Sequence, residues 1–243
     1  MPVTAEHGYL IPAIGEVYVN CANKLKDSIL QWHPTVNVTI LTEDMLPYGN
    51  LGGYANDWQC YAVSPYQHTI KLEADMWCAG PIDHWWDLLS KRDLVISQGC
   101  RDFYDNPGKS RFYRKIFDNN ALPDVYNAIT YWKVSDTAEE FFKIVRDMFE
   151  NWEKYKTLLK FPDEVATTDV VYAMAATVMG IENVVLPEGL GPTIVHMKKN
   201  MIPITSDEWS KDLVYEKTNP GVRINTVAQW GLVHYYVKEL ADE

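Results

Sequence analysis

Two carboxylates separated by one residue, Glu73 and Asp75, directly follow an apolar stretch with the character of a β-strand. In an extended chain, side chains two residues apart lie on the same face, about 6–7 Å from one another. Divalent cations such as Mg²⁺ and Mn²⁺ prefer oxygen ligands and keep several positions for water and substrate phosphates. The pair therefore indicates a site for a divalent cation and a phosphate-bearing ligand. Two acids that begin a solvated loop are the alternative, because an E-x-D tripeptide alone is a weak signal.

The elements that would position this pair alternate between strand and helix. The predicted order is strand 8–15, helix 18–32, strand 36–41, helix 58–63 and strand 69–72. The first helix ends at His33-Pro34, because proline disfavours helical geometry in the residue before it. This alternation predicts right-handed crossovers and a mostly parallel, doubly wound, Rossmann-like α/β sheet flanked by helices. Ligands of such sheets bind beyond the carboxyl ends of the strands, where Glu73 and Asp75 lie.

The second half of the chain continues with strands and two amphipathic helices. Strands are predicted at 94–97, 125–132, 184–186 and 193–195, and helices at 136–152 and 168–179. The first of these helices begins with a D-x-x-E capping box at Asp136–Glu139. From residue 197 onward the pattern predicts loops. Because no repeat or low-complexity linker divides the chain, we expect a single domain spanning 1–243.

The charge balance excludes some classes of function. The chain of 243 residues has 33 acidic and 22 basic side chains, a net charge of −11, and 47% hydrophobic residues. The apolar fraction suffices for a large core and excludes intrinsic disorder. The acidic excess argues against non-specific binding to nucleic acid, which depends on lysine and arginine, and against binding to anionic lipid.

The cysteines and the N-terminal residues indicate a cytoplasmic protein. Four cysteines occur without a C-x-x-C pair, which is typical of reduced, buried thiols rather than a zinc site. The first residues lack the charged region of a signal peptide, and no stretch approaches the roughly 18 apolar residues of a membrane span. We therefore expect a cytoplasmic protein without a membrane span.

The segment around the two carboxylates matches a longer pattern. Seven positions fit Y-x-x-x-(I/V)-x-L-D-A-D followed by a proline and an acid, namely Tyr66, Ile70, Leu72, Ala74, Asp75, Pro81 and Asp83. With this segment the chain resembles the GT-A glycosyltransferases of family 8, which include glycogenin and the lipopolysaccharide galactosyltransferases. Glu73 stands where that family has its first aspartate. The resemblance continues in order through about residues 8–238.

The resemblance implies a single GT-A type domain and a hexosyltransferase-type activity. The enzyme would move a sugar from a nucleotide sugar, with UDP as the expected nucleotide, to a hydroxyl acceptor, with retention and with Mn²⁺ or Mg²⁺. The nucleotide-binding part would be about 8–100, and the part that binds the donor sugar and acceptor about 101–243. Residues 120–127 resemble small phage-encoded members, which suggests a phage source.

The resemblance also implies roles for individual residues. It implies that Ile11, Pro12 and Ala13 at the end of the first strand hold the nucleotide. Asn127 and Asp169 correspond to residues that face the donor sugar, and with Asp75 they are the catalytic candidates. Ile129 and Val170 differ from the family, which has glycine and glutamine at those two positions.

In that family, a histidine and a lysine toward the C-terminal end of the chain complete the metal and diphosphate site. His196 and His234 are both candidates for the third metal ligand, and the sequence does not choose between them. Imidazole readily joins carboxylates on manganese. Lys198, Lys199 or Lys238 would then pair with the diphosphate as a point charge.

The acceptor is the least determined part of the reaction. Residues 101–115 are the most basic and aromatic part of the chain, which favours a surface for a glycan, a protein or modified DNA; a solvated loop is the plain alternative. A phage-type DNA glycosyltransferase acting on hydroxymethylated bases, or an inactive protein that only binds nucleotide sugars, is an alternative function. An inverting enzyme would need a carboxylate base near the acceptor, and the candidates are Asp102, Asp105, Asp124 and Asp169.

Overall fold

A computed structural model describes residues 3–107, 115–161, 165–186, 189–192, 194–197, 213–218 and 221–235. Up to residue 72, strands alternate with helices as the sequence predicts, and a strand at Met76–Cys78 and a helix at His84–Leu89 follow that were not predicted. The elements are β1 (Ala5–Pro12), α1 (Glu16–Trp32), β2 (Val38–Leu41), α2 (Gln59–Val63), β3 (Tyr66–Leu72), β4 (Met76–Cys78), α3 (His84–Leu89) and β5 (Leu94–Gln98). Short 3₁₀ turns at Glu43–Met45 and Gly53–Asn56 lie between β2 and α2.

The remaining elements are shorter strands and the two long helices of the second half. They are β6 (Arg101–Asp102), α4 (Lys115–Asn119), β7 (Val125–Lys133), α5 (Asp136–Glu150), α6 (Trp152–Leu159), α7 (Thr168–Met179), α8 (Ile181–Val184), β8 (Ile194–His196), β9 (Tyr215–Lys217), β10 (Val222–Ile224), β11 (Val227–Ala228) and β12 (Leu232–His234). Ser135 caps α5, since its hydroxyl accepts a hydrogen bond from the Ala138 N–H.

The central sheet has five strands in the order β2-β1-β3-β7-β5. Strand β1 runs parallel to β2 and β3, whereas β7 runs antiparallel to β3 and β5. Four of the five strands therefore run in the same direction, and β7 alone is reversed. This arrangement confirms the predicted α/β class with a mostly parallel sheet.

Side chains alternate between two hydrophobic layers, one on each face of this sheet. Tyr9 and Ile11 of β1 pack in one layer with Leu25 of α1, and Leu10 packs in the other with Phe141 of α5. Because strand residues point alternately to the two faces, β1 buries both of its faces. The crossover α1 and the helices α5 and α7 therefore cover opposite sides of the sheet.

Two smaller sheets adjoin the central one. One has the order β4-β12-β8-β6, in which β12 pairs antiparallel with β4 and parallel with β8. The other is the antiparallel meander β11-β10-β9. The prediction of loops after residue 197 was wrong for β9–β12, because strands of two or three residues are too short to show periodicity.

One predicted strand, 184–186, is also wrong. Val184 ends helix α8, and Val185 makes only an isolated bridge with Ile96 of β5. In the part of the chain that the structure describes, no helix combines the length and apolar character needed to cross a membrane. All four cysteines are buried, and none of them forms a disulfide.

Candidate metal centre

The structure brings together three side chains that can ligate a metal ion, those of Glu73, Asp75 and His234. One ligand atom from each lies within 4.8 Å of the others. The Nε2 atom of His234 is 3.1 Å from Asp75 Oδ2 and 3.6 Å from Glu73 Oε2. Two carboxylates and an imidazole are a donor set that suits Mn²⁺ or Mg²⁺. We call this group the acidic triad.

Backbone pairing between distant segments assembles the triad. Glu73 and Asp75 lie in the chain between β3 and β4, and the Glu73 N–H donates to the Ala128 carbonyl of β7. His234 ends β12, which pairs antiparallel with β4, and the next residue, Tyr235, donates its N–H to the Asp75 carbonyl. The register of β12 on β4 therefore fixes His234 beside the two carboxylates.

The other candidate ligand, His196, does not belong to the triad. It ends β8 and lies opposite His234 in the parallel register of β8 and β12. Its Nε2 atom is 3.0 Å from the Tyr126 hydroxyl, which in turn is 2.5 Å from Nδ1 of His234. The structure thus separates the two histidines that the sequence could not distinguish, since only His234 reaches the carboxylates.

A cavity of about 640 Å³ opens beside the triad. Its walls come from the turn after β1, the segment that follows β2, the end of β3, and the start of α7. The lining also includes Tyr18 of α1 and His234 of β12. Residues of the four segments that line it include Pro12, Ile14, Asn50, Tyr54, Lys71, Glu73, Asp75 and Thr168. The volume is in the range of pockets that bind small molecules.

Of the three residues predicted to hold the nucleotide, only Pro12 lines this cavity. The side chains of Ile11 and Ala13 are fully buried in the hydrophobic layer beneath α1. Ile11 and Ala13 point to the same core, so they could contact a nucleotide only through their backbone, and their role in holding it stays a prediction. Beyond them, Gly15 turns the chain into α1 with φ of 91°, a conformation that favours glycine.

The triad has an excess of negative charge. The side chain of Glu73 is 36% exposed, and it lines the cavity. Loss of hydration raises the pKa of the Glu73 carboxyl to about 7; the His234 charge opposes this rise, and the carboxylates of Asp75 and Asp169 add to it. A divalent cation would remove this repulsion. The donor set and its charge therefore fit a metal ion.

Comparisons with known proteins identify the fold. No family model and no curated protein matches the chain. Among solved structures, mouse xyloside xylosyltransferase 1 matches at 8% identity and a TM-score of 0.50, over 96% of this chain and 98% of that one. An active-site mutant of LgtC matches at 12% identity and a TM-score of 0.50, over 94% of this chain and 87% of that one. A glycosyltransferase involved in glycosylation of the major capsid of PBCV-1 matches at 13% identity and a TM-score of 0.48, over 97% of this chain and 98% of that one. The chain has the GT-A glycosyltransferase fold.

One buried cluster of this GT-A fold, which lies at the wall of the cavity, was missed in the sequence analysis. The Lys71 ammonium lies 2.5 Å from Asp57 Oδ2, and the Tyr172 hydroxyl donates a hydrogen bond to Asp57 Oδ1. Burial alone would lower the pKa of Lys71, but the Asp57 carboxylate outweighs it and raises that pKa, so Lys71 stays charged. The signal was present, because alternation along the strand puts Lys71 on the face of Glu73 and Asp75.

The two catalytic candidates from the second half, Asn127 and Asp169, contact each other. Asp169 lies in the first turn of α7, and its Oδ1 accepts the Asn127 N–H at 2.7 Å. The Asn127 side chain is fully buried, and its Oδ1 accepts a hydrogen bond from Thr130 Oγ1. This side chain does not line the cavity, because β7 is a buried interior strand of the sheet, and the role of Asn127 toward a donor sugar stays a prediction.

The candidate bases and cationic residues are placed as follows. Asp102 is buried and closes a turn, accepting the N–H groups of Tyr104 and Asn106. Asp105 is exposed and 3.4 Å from Arg101, and Asp124 precedes β7; neither lines the cavity. Lys198, Lys199, Lys238 and residues 108–114 of the predicted acceptor surface lie outside the described residues.

Proposed function

We propose that the protein is a metal-dependent glycosyltransferase that moves a sugar from a nucleotide sugar, with UDP as the expected nucleotide, to a hydroxyl acceptor. The observation that carries this proposal is the acidic triad on the wall of a ligand-sized cavity in a GT-A fold. Asp75, His234 and Glu73 would hold Mn²⁺ or Mg²⁺. When bound, such an ion supplies Lewis-acid stabilisation of a departing diphosphate.

The cavity offers different chemistry in different parts of its lining. Pro12, Ile14 and the ring of Tyr18 form an apolar and aromatic wall at the end of β1, which suits the face of a nucleobase. Asp57 and Lys71 form a polar part of the lining, and their charged groups can hydrogen-bond the hydroxyls of a sugar. We therefore assign the nucleotide to the β1 side, within residues 8–100.

Retention of configuration is part of the proposal. An inverting enzyme needs a free carboxylate base near the acceptor. Among the described residues that line the cavity, the carboxylates are Asp57, Glu73 and Asp75. Asp57 is engaged by Lys71 and Tyr172, and the other two belong to the triad. A retaining enzyme can use the departing phosphate instead, which fits this distribution.

The experiment that tests the proposal has a binding arm and a turnover arm. Calorimetry with UDP should give binding that requires Mn²⁺ or Mg²⁺, and a hydrolysis screen over UDP-, GDP- and ADP-sugars should release nucleotide from at least one donor. Metal-dependent UDP binding without release from any donor would favour an inactive nucleotide-sugar-binding protein. Failure of every nucleotide to bind, with or without metal, would overturn the proposal.

The acceptor screen follows once a donor is known. It should include oligosaccharides, proteins and DNA with hydroxymethylated bases, since residues 101–115 are the proposed acceptor surface. Transfer to modified DNA alone would identify a DNA glycosyltransferase. Transfer to a glycan or protein would exclude that alternative.

A further inference from the structure

The Tyr126 hydroxyl lies between two buried histidines. It is 2.5 Å from Nδ1 of His234 and 3.0 Å from Nε2 of His196, and the ring centroids of the two histidines are 5.7 Å apart. All three residues are at least 90% buried. This group therefore connects the metal-facing histidine to a second imidazole through one hydroxyl.

Three strands from two sheets hold this group. Tyr126 is the second residue of β7 in the central sheet, whereas His196 and His234 end the neighbouring strands β8 and β12. The parallel register of β8 and β12 places the two histidines side by side. Because each group lies on a paired strand, the hydroxyl has little freedom to choose other partners.

We infer that Tyr126 is a positioning residue for His234 and that His196 sets the direction of the Tyr126 hydroxyl. The inference rests on the proposed metal centre. In a neutral imidazole one nitrogen carries the proton and the other has a lone pair. The Nε2 atom of His234 faces Asp75 and Glu73, so it must keep its lone pair to bind a cation. The ring proton then lies on Nδ1 and donates to the Tyr126 oxygen.

The remaining proton positions follow from the same geometry. A tyrosine hydroxyl has one hydrogen, and with His234 as donor this hydrogen is directed to Nε2 of His196. His196 must then carry its own ring proton on Nδ1. The inferred proton order runs from His234 Nδ1–H to the Tyr126 oxygen, and from the Tyr126 O–H to His196 Nε2. Hydrogen bonds of this kind fix the orientation and tautomer of metal-binding histidines.

The chain provides a matched control on the same strand. Near the other end of β7, the Tyr131 hydroxyl is 2.7 Å from Nδ1 of His68. His68 does not belong to the acidic triad. Tyr131→Phe therefore removes an equivalent tyrosine–histidine hydrogen bond without touching the metal centre.

The first test is Mn²⁺ affinity, measured by EPR titration without nucleotide or sugar. We expect Tyr126→Phe to weaken Mn²⁺ binding by about 10- to 100-fold, the usual cost of losing a partner of a metal-bound histidine. Tyr131→Phe should bind Mn²⁺ as the parent does. His196→Leu should weaken binding, and His196→Gln should restore part of the affinity, because its amide oxygen can accept from the Tyr126 hydroxyl.

The second test needs no variant. In the Mg²⁺-loaded parent protein, ¹⁵N NMR of the imidazole nitrogens should show the ring proton of both His196 and His234 on Nδ1. A proton on Nε2 of His196 would overturn the inference, as would equal Mn²⁺ affinities of the parent and Tyr126→Phe. Failure of the parent to bind Mn²⁺ or Mg²⁺ would instead overturn the proposed metal centre, and this inference with it.

Discussion

Two clusters of the same residue types lie at opposite ends of the paired strands β3 and β7. At one end His234 contacts the Tyr126 hydroxyl through Nδ1 and faces Glu73 through Nε2, at 3.6 Å. At the other end His68 contacts the Tyr131 hydroxyl through Nδ1 and faces Glu6 through Nε2, at 3.5 Å. The tyrosine–histidine–glutamate arrangement is therefore common to both ends.

The two ends differ in carboxylate number and in burial. The His234 end has a second carboxylate, Asp75, at 3.1 Å, and the side chains of His234 and Asp75 are only 7% and 9% exposed. At the His68 end the Glu6 side chain is 76% exposed. Water can satisfy an exposed carboxylate such as that of Glu6, whereas the buried Asp75, beside the carboxylate of the partly exposed Glu73, gains from a cation. The comparison shows that a tyrosine, a histidine and a glutamate in contact do not by themselves make a candidate metal site.

The largest expected effect is the loss of Mn²⁺ binding when one buried carboxylate becomes an amide. Asp75→Asn should lower Mn²⁺ affinity by more than the roughly 10- to 100-fold cost of losing a supporting hydrogen bond. Glu6→Gln, at the other end, should leave the affinity unchanged. Calorimetric titration of both variants gives the measurement. The metal-free fold should lose little stability in Asp75→Asn, because the change removes one charge from a repulsive group.

Thermal unfolding provides an independent check of this difference. Ligand at about 100 times Kd adds about 2.7 kcal/mol to the free energy of unfolding, so Mn²⁺ should raise the melting temperature of the parent and of Glu6→Gln. Asp75→Asn should show no such rise. If Asp75→Asn binds metal as the parent does, the acidic triad is not the metal site.

An effect on the stability of the fold, rather than on metal binding, separates the two ion pairs of these strands. The Lys71–Asp57 pair near the cavity has side chains that are 1% and 14% exposed, whereas Lys133–Asp93 at the opposite end has 36% and 37%. Removing one partner of a buried pair leaves an uncompensated charge and costs about 3–5 kcal/mol. Lys71→Met should therefore lower the free energy of unfolding by that amount, measured by urea denaturation.

The control for this prediction is Lys133→Met. Exposed ion pairs contribute about 0–1 kcal/mol, so this variant should stay within that range. Equal losses in the two variants would mean that solvent reaches Asp57 as freely as it reaches Asp93. The cavity wall at Lys71 would then be more hydrated than its burial indicates.

The sequence predicts the fold well where periodicity is long. Helix α7 has the predicted bounds, and helix α1 and strands β1, β2, β3 and β5 differ by a few residues, because buried runs and helical spacing are local signals. Strand β4, of three residues, was not predicted. The strand predicted at 184–186 fails, since Val184 and Val185 are as compatible with a helix end as with a strand. Strands β9–β12 have two or three residues each, which is too short for a periodic pattern. Strand β12 also depends on pairing with the distant strands β4 and β8.

The candidate site is predictable only where its residues are adjacent in the chain. Glu73 and Asp75 share one strand end, so alternation places them together. The choice of His234 over His196 depends on the register of β12 against β4, a contact between segments more than 150 residues apart that no local pattern encodes. Lys71 lies between these two cases. Alternation along β3 indicates that it shares a face with Glu73 and Asp75, but its partner Asp57 comes from a different element.

The smallest expected effect concerns the pKa of Asp93 at the exposed end. A hydrogen bond from the Lys133 ammonium lowers the pKa of this carboxyl below its ordinary value of 3.8. A carboxyl with a lowered folded-state pKa stabilises the fold above the unfolded-state pKa, and this contribution is lost as the pH falls through the lowered value. In Lys133→Met, ¹³C NMR titration should find the pKa of Asp93 raised toward its ordinary value. The small difference in the free energy of unfolding between this variant and the parent should shrink below about pH 4. An unchanged pKa would mean that the hydroxyls of Thr137 and Ser135, which also hydrogen-bond Asp93, suffice to hold the carboxylate ionised.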